Sequence, residues 1–352
     1  MNEKPTGKSA PFSLETRWPL HIVLLIFLLL LLLVVNLAMG SAPVPLGIIA
    51  KSMLGLEVGN PVYDQIVWQF RLPKALTCIL AGGCLATGGL LMQTLFRNPL
   101  AGPDVLGLSA GAGLMVAIVL LVGATSGVIL PLQNGWSVAM AATAGSALVF
   151  LAVMAVANRL RDNTSLLIVG LMIGAAASSI VSVLQFMSNA DELQVFMIWT
   201  MGNVGSTNWN ELLVLAIVLI SGVLLSLLFV KSINAWQLGD SYAKSLGVNL
   251  KRSRLVVLLA TSLMTGGVTA FCGPIAFVGL AVPHLVRLLL PASDHRIMIP
   301  MVLLGGGCLL LLCDTVAQLP GASQVLPLNA ITSLVGAPVV IWIVVRSRRF
   351  NI

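Results

Sequence analysis

KSINAWQLGDSYAKSLGVNLKRSR, residues 231–254, is the longest charged interruption after the N-terminal tail, with long apolar stretches on both sides. Asp240 is of the type that caps helix N-termini, and Ser241 to Leu246 suffice for about a turn and a half of helix. Gly247 suits the left-handed position just past a helix end. A second helix starting at Asn249 would run through Lys251, Arg252 and Arg254 into the next apolar segment. The stretch therefore reads as a small folded docking surface and not a slack linker. Gripped from one side of a membrane, it would move the helices attached to it.

The membrane follows from composition. The chain of 352 residues is 58% hydrophobic and 9% charged, with a mean hydropathy of +1.02, which excludes an ordinary soluble globule. A spanning helix takes about 20 apolar residues, with a range of about 17–25. Ten such runs can be marked: Leu20 to Met39, Ala75 to Leu95, Val105 to Val122, Val138 to Ala157, Leu166 to Met187, Leu212 to Val230, Leu255 to Phe271, Ile275 to Leu290, Ile299 to Ala317 and Ala330 to Val345. The expectation is an all-α polytopic membrane protein with ten transmembrane helices and both termini on one side. Residues 20–346 form a single domain between tails 1–19 and 347–352. The first run follows Lys4, Lys8 and Arg17 but exceeds the length of a signal-peptide core, so it reads as a retained helix.

Charge placement tests the threading. With the N-terminus inside, only Lys51, Arg71 and Lys74 of the 19 lysines and arginines fall outside. This is the bias expected of cytoplasmic loops, and it puts residues 231–254 in the cytoplasm. The formal charge of +7 is thus explained by topology, and no nucleic-acid partner is expected. Five cysteines, at 78, 84, 272, 308 and 313, lie in or beside apolar runs without CxxC spacing, so packing is expected and not a disulfide frame or a zinc site. No cofactor is expected. Thr6-Gly7-Lys8-Ser9 resembles the end of a phosphate-binding loop, but it lacks the first glycine and a preceding strand. Any ATP hydrolysis must come from another chain.

Ser41 to Phe70 is read as an outside segment whose apolar residues lie along the membrane surface, with Trp68 in the interfacial belt. Arg71 and Lys74 form either an outward-facing positive patch or a pair of snorkelling interfacial side chains. Gly82, Gly83, Gly88 and Gly89 permit close approach of neighbouring helices, and Arg97-Asn98-Pro99 breaks the helix at the cytoplasmic face. Gln93 reads as an interhelical hydrogen bond in preference to a pore-lining group. Asn163, Thr164 and Ser165 are able to cap the fifth apolar run. Ser188 to Asn210 reads as an extracytoplasmic lip with a short surface helix. His284, beside Pro283 and Arg287, is expected to cap or pack, since the partners of a metal site are absent. Asp314 is the one carboxylate deep in an expected span, within about a turn of its outer end, and a structural role is favoured. Two stretches, TGG at 87–89 before NPLAGPDVLGL and TGG at 265–267 before CGPIAFVGLAVPH, echo each other in spans of opposite direction, the pattern of an inverted repeat.

RLPKALTCILAGG, LFRNPLAGPDVLGLSAGAG, LGDSYAKSLGVN, GPIAFVGLAVPHLVR and LVGAPVVIW follow in this order from Arg71 to the C-terminus. Together they resemble the FecCD/BtuC-type permeases of type II ABC importers, which carry iron chelates, haem or vitamin B12. The resemblance implies a ten-helix permease fold in the bacterial cytoplasmic (inner) membrane, with both termini cytoplasmic. The implied partners are a second permease copy around a central pore, two ABC ATPase subunits, a periplasmic substrate-binding protein and the lipid bilayer. It implies ATPase coupling through Leu238, Gly239, Asp240, Ala243, Leu246 and Gly247. It also implies binding-protein docking at Arg71 and Lys74, and cytoplasmic gates at Asn98, Pro99, Leu100 and at Asn163, Thr164, Ser165. The cargo it implies is a ferric siderophore, haem or cobalamin, with iron complexes favoured by the breadth of the family. Departures from the family pattern are Gln318 in place of an arginine, and Val325 and Asn329 around the late proline. The rival expectation is an ion-coupled secondary transporter with a midplane site, for which Asp314 would have to serve.

Overall fold

The computed structural model describes residues 18–40, 44–122, 135–157, 159–160, 163–290, 292–318 and 325–347, which are helical with short connections. The Thr6–Ser9 motif, Arg161, Arg348 and Arg349 lie outside these residues. In chain order, α1 (Trp18–Ala38) is followed by two short helices, α2 (Leu46–Met53) and α3 (Pro61–Gln65). A π-helical turn, Ile66–Arg71, then leads into α4 (Leu72–Phe96). A 3₁₀ turn, Pro103–Leu106, precedes α5 (Leu108–Ala117), which ends in a second π-helical turn, Ile118–Val122. Next come α6 (Gly135–Ala157), α7 (Asn163–Met187), the short α8 (Ala190–Thr200) and α9 (Trp209–Leu228). The 231–254 stretch holds α10 (Val230–Gln237), α11 (Asp240–Ser245) and the start of α12 (Leu250–Cys272). The chain closes with α13 (Val278–Leu289), α14 (His295–Ala317) and α15 (Leu328–Ser347).

Among the described residues, seven helical segments are long and apolar enough to cross a membrane: Trp18–Ala38, Pro61–Phe96, Gly135–Ala157, Thr164–Met187, Trp209–Leu228, Leu250–Cys272 and His295–Ala317. Three shorter apolar helices, Leu108–Val122, Val278–Leu289 and Leu328–Trp342, occupy the third, eighth and tenth expected spans. The third and eighth are short for a physical reason. Each spends its first residues in a break from α-helix, a 3₁₀ turn before α5 and a non-helical stretch before α13, that ends in a left-handed residue, Gly107 (φ 75°) and Phe277 (φ 67°) respectively. This shared plan of long helix, break, left-handed residue and short helix is where the two TGG-containing stretches echo each other in three dimensions.

The core forms around α4, most of whose residues are buried. Two glycine contacts let its backbone touch its neighbours. A Cβ on Gly82 would lie 2.2 Å from the Gly306 carbonyl oxygen of α14, and one on Gly89 would lie 1.8 Å from the Gly279 oxygen of α13. In lipid, where apolar burial supplies little drive between helices, such close packing is a main source of association.

Polar side chains then knit the two ends of the bundle. At the end opposite residues 231–254, Arg71 donates to the carbonyls of Leu37 and Ala38. Thr77 and Thr207 hydroxyls meet at 2.7 Å, and Trp209 Nε1 donates to the Trp68 carbonyl at 3.0 Å. Asn329 accepts from the Ala276 N–H at 3.0 Å and donates its own N–H to the Met201 carbonyl at 3.1 Å, so this departure from the family pattern pins the break before α13. The short helix expected within Ser188 to Asn210 is α8, opened by an Asn189–Glu192 capping box, and the Ser41 to Phe70 segment holds the short α2 and α3.

Candidate coupling surface and gate

Residues 231–254 fold as their sequence prescribes, with one correction. Gly239, not Asp240, is the N-cap of α11; its φ of 112° is open to glycine and strained for other residues, and Asp240 is the first helical residue. The far end of α11 is a Schellman motif. The Gly247 N–H donates to the Lys244 carbonyl at 2.9 Å, the Val248 N–H to the Ala243 carbonyl at 3.0 Å, and Gly247 is left-handed at φ 78°. Asn249 then caps α12, its side chain accepting from the Arg252 N–H at 3.1 Å.

The turns place an apolar row outward. Leu238, Tyr242 and Leu246, spaced four apart, are 66%, 50% and 58% exposed, while Ala243 is fully buried beneath them. Large apolar side chains presented together on a short polar loop mark an interaction surface. Tyr242 was not singled out from sequence; its spacing from Leu238 and Leu246 was the available signal.

The loop is fastened to the bundle by α10. Asn234 Nδ2 donates to Asp294 Oδ1 at 2.6 Å, and Gln237 Nε2 donates to the Ser293 carbonyl at 2.9 Å. Both side chains also contact Nδ1 of the buried His295, whose Nε2 lies 2.8 Å from Thr94 Oγ1 on α4. Asp240 pairs with Arg97, the left-handed residue (φ 47°) that ends α4.

Arg97 opens the Asn98–Pro99–Leu100 turn. Asn98 Oδ1 accepts from the Leu100 N–H at 2.9 Å, and the Pro99 carbonyl accepts from His284 Nε2 at 2.7 Å, so His284 caps this turn as expected. Gln93 makes the expected interhelical bonds: its Nε2 donates to the Leu280 carbonyl at 3.3 Å, and Arg287 Nη1 donates to its Oε1 at 3.0 Å. Asn163, Thr164 and Ser165 form the first described turn of α7. Beyond the two expected gate segments, the turn before α5 packs on α7 at Gly107 and Gly170, where a Cβ on Gly107 would lie 2.9 Å from the Gly170 carbonyl oxygen.

The opposite end differs from its sequence reading. Lys74 does not face outward as a free cation. Its Nζ lies 2.9 Å from Asp314 Oδ1, with side-chain exposures of 19% and 4%. Asp314 Oδ2 also accepts from Asn36 Nδ2 at 2.8 Å and Gln318 Nε2 at 2.6 Å, so Gln318 and Asp314 are both structural.

Set beside known proteins, residues 28–346 match the model of the FecCD transport family. The chain belongs to the FecCD transport family. Among its relatives is the hemin transport system permease protein HmuU of Yersinia pestis, 36% identical over 90% of this chain and 94% of that protein. Another is the vitamin B12 import system permease protein BtuC of Salmonella typhi, 36% identical over 81% of this chain and 85% of that protein. A solved metal-chelate type ABC transporter in an inward-facing conformation superposes with a TM-score of 0.78 at 26% identity, covering 93% of this chain and 99% of that one. This FecCD chain is thus a BtuC-type permease.

Proposed function

We propose that this permease is the translocation subunit of an ATP-driven importer for a metal chelate, either a ferric siderophore or haem, or for cobalamin. Seven long and three short apolar helices give ten crossings of the bacterial cytoplasmic membrane with both termini cytoplasmic, in one domain over residues 20–346. Two copies enclose the pore, two separate ATPase subunits supply hydrolysis, and a periplasmic binding protein delivers the cargo. Coupling runs through Leu238, Gly239, Asp240, Ala243, Leu246 and Gly247. The cytoplasmic gate comprises Asn98 to Leu100 and Asn163 to Ser165. Docking of the binding protein falls to Arg71 and Lys74, with Lys74 sharing its charge with Asp314.

The observation that carries the reading is the Leu238, Tyr242 and Leu246 row on a capped, rigid turn, tied by side chains to the helices behind it. A passive channel or scaffold has no use for such a surface. An ion-coupled transporter would need Asp314 to hold a cation, and that carboxylate is already bonded to Lys74, Asn36 and Gln318.

The test is ATP hydrolysis by the complex reconstituted with its ATPase and binding protein. Leu246→Asp and Gly239→Asp abolish binding-protein-stimulated hydrolysis if the row couples the subunits. Because Gly239 has φ 112°, Gly239→Ala separates backbone strain from added charge. Unchanged stimulation and uptake in Leu246→Asp would refute the coupling role.

A further inference from the structure

Two independent sets of bonds leave residues 231–254, and both reach the last turn of α4. From α10, Asn234 and Gln237 contact His295 Nδ1, and Nε2 of the same ring reaches Thr94 Oγ1 at 2.8 Å. From α11, Asp240 pairs with Arg97. Thr94 and Arg97 stand three residues apart, on one side of α4. The body of α4 above them is held by the Gly82–Gly306 and Gly89–Gly279 contacts, where even a methyl group has no room. Arg97, which caps its C-terminal end, is left-handed and begins the Asn98–Pro99–Leu100 turn.

We propose that the last turn of α4 is the transmission element of this permease, with Arg97 as the positioning residue that converts displacement of α11 into movement of the Asn98–Leu100 turn. The inference rests on the importer reading above and goes beyond it by naming the route. Movement concentrates at Arg97 because the helix before it is locked by backbone contact, whereas the turn after it rests on a few hydrogen bonds, from the Leu100 and Ala101 N–H groups to Asn98 and from His284 to Pro99. The Arg97 and Asp240 side chains are 44% and 40% exposed, so their pair adds little to folding stability. Its loss should therefore register in coupling more than in the fold.

The experiment compares Arg97→Asp, Asp240→Arg, the double exchange Arg97→Asp/Asp240→Arg, and Arg97→Lys. Each is purified with its ATPase and reconstituted with its binding protein. Aspartate tolerates the left-handed conformation of residue 97 better than most side chains, which keeps the reversal compatible with the backbone. The readout is cargo accumulated per ATP hydrolysed by the purified complex, with haem, cyanocobalamin and a ferric hydroxamate as the probes. Each single reversal lowers this ratio about fivefold or more, the lower end of coupling between sites. The double exchange and Arg97→Lys restore most of it. Single reversals with the wild-type ratio, or an exchange no better than the singles, would overturn the proposal. A wild-type complex that binds no ATPase, or accumulates none of the three probes with ATP, would instead overturn the importer reading, and the inference with it.

Discussion

Lys74 Nζ lies 2.9 Å from Asp314 Oδ1 and closes a buried polar cluster with Asn36 and Gln318 that joins α1, α4 and α14. Removing one member of such a pair leaves the other charge without its partner, at a cost of about 3–5 kcal/mol when both are buried. Lys74 is 19% exposed and two neutral donors remain on Asp314, so the cost here falls at the lower end. Lys74→Met should lower the thermal midpoint of the purified permease more than Lys74→Met/Asp314→Leu does. Equal midpoints for the two variants would show that Asp314 carries no penalty when it loses Lys74.

The glycine contacts give a stricter test. Gly89→Ala would drive a methyl group to 1.8 Å from the Gly279 oxygen, which forces α4 and α13 apart. Overpacking of this kind costs about 1–3 kcal/mol or more. Gly47, whose Cβ would meet nothing within 4 Å, provides the control. The yield of monodisperse protein by size exclusion should fall for Gly89→Ala and hold for Gly47→Ala.

What the sequence made legible was local. The Gly247 ending, the Asn249 cap, the break at Arg97 and the close-packing glycines all follow from residue type and near neighbours, and each is where it was expected. What it hid was long-range. That Lys74 turns to Asp314 and Asp240 to Arg97 depends on which helices end side by side, and no periodicity records that. Asp240 had two uses open to it, as a helix cap or as a partner for a cation, and the fold chose the cation. The third and eighth apolar runs showed their hydropathy but not that part of each is a break in the α-helix.

Tyr242 stands in the exposed row to which we assign coupling, although only Leu238 and Leu246 of that row were expected there. At 50% exposure it does little for the fold, so Tyr242→Ala should leave the thermal midpoint nearly unchanged. Aromatic side chains at the centre of an interface commonly carry about 2 kcal/mol or more of binding. Titration of the permease in nanodiscs with its ATPase should therefore show an affinity loss of at least about tenfold. Unaltered affinity would place the interface elsewhere.

Asp294 anchors α10 and caps α14 together, accepting from Asn234 Nδ2 and from the Arg296 N–H. Burial pushes its carboxyl up, but those two donors and the Arg296 and His295 charges outweigh burial and hold it below the ordinary value. A carboxyl depressed in the fold contributes stability that is complete above its unfolded value of about 3.9 and is lost as pH falls through the folded value. Hydrogen exchange across residues 230–237 should accelerate in that acid window. Asp294→Ala should show the accelerated exchange already at neutral pH.

His284 holds the Asn98–Leu100 turn from α13 by donating Nε2–H to the Pro99 carbonyl at 2.7 Å. The bond fixes the tautomer, since a carbonyl only accepts. A net hydrogen-bond contribution is about 0.5–1.5 kcal/mol, and that much is small beside the packing of α4 but large for a turn held by few bonds. His284→Phe should raise amide exchange at residues 98–101 by about two- to tenfold with little change in the global thermal midpoint, while His284→Gln, which keeps a donor, should recover part of the protection. Exchange in His284→Phe equal to wild type would mean that the turn is held by Asn98 alone, and the α13 contact would have no part in keeping the gate segment in place.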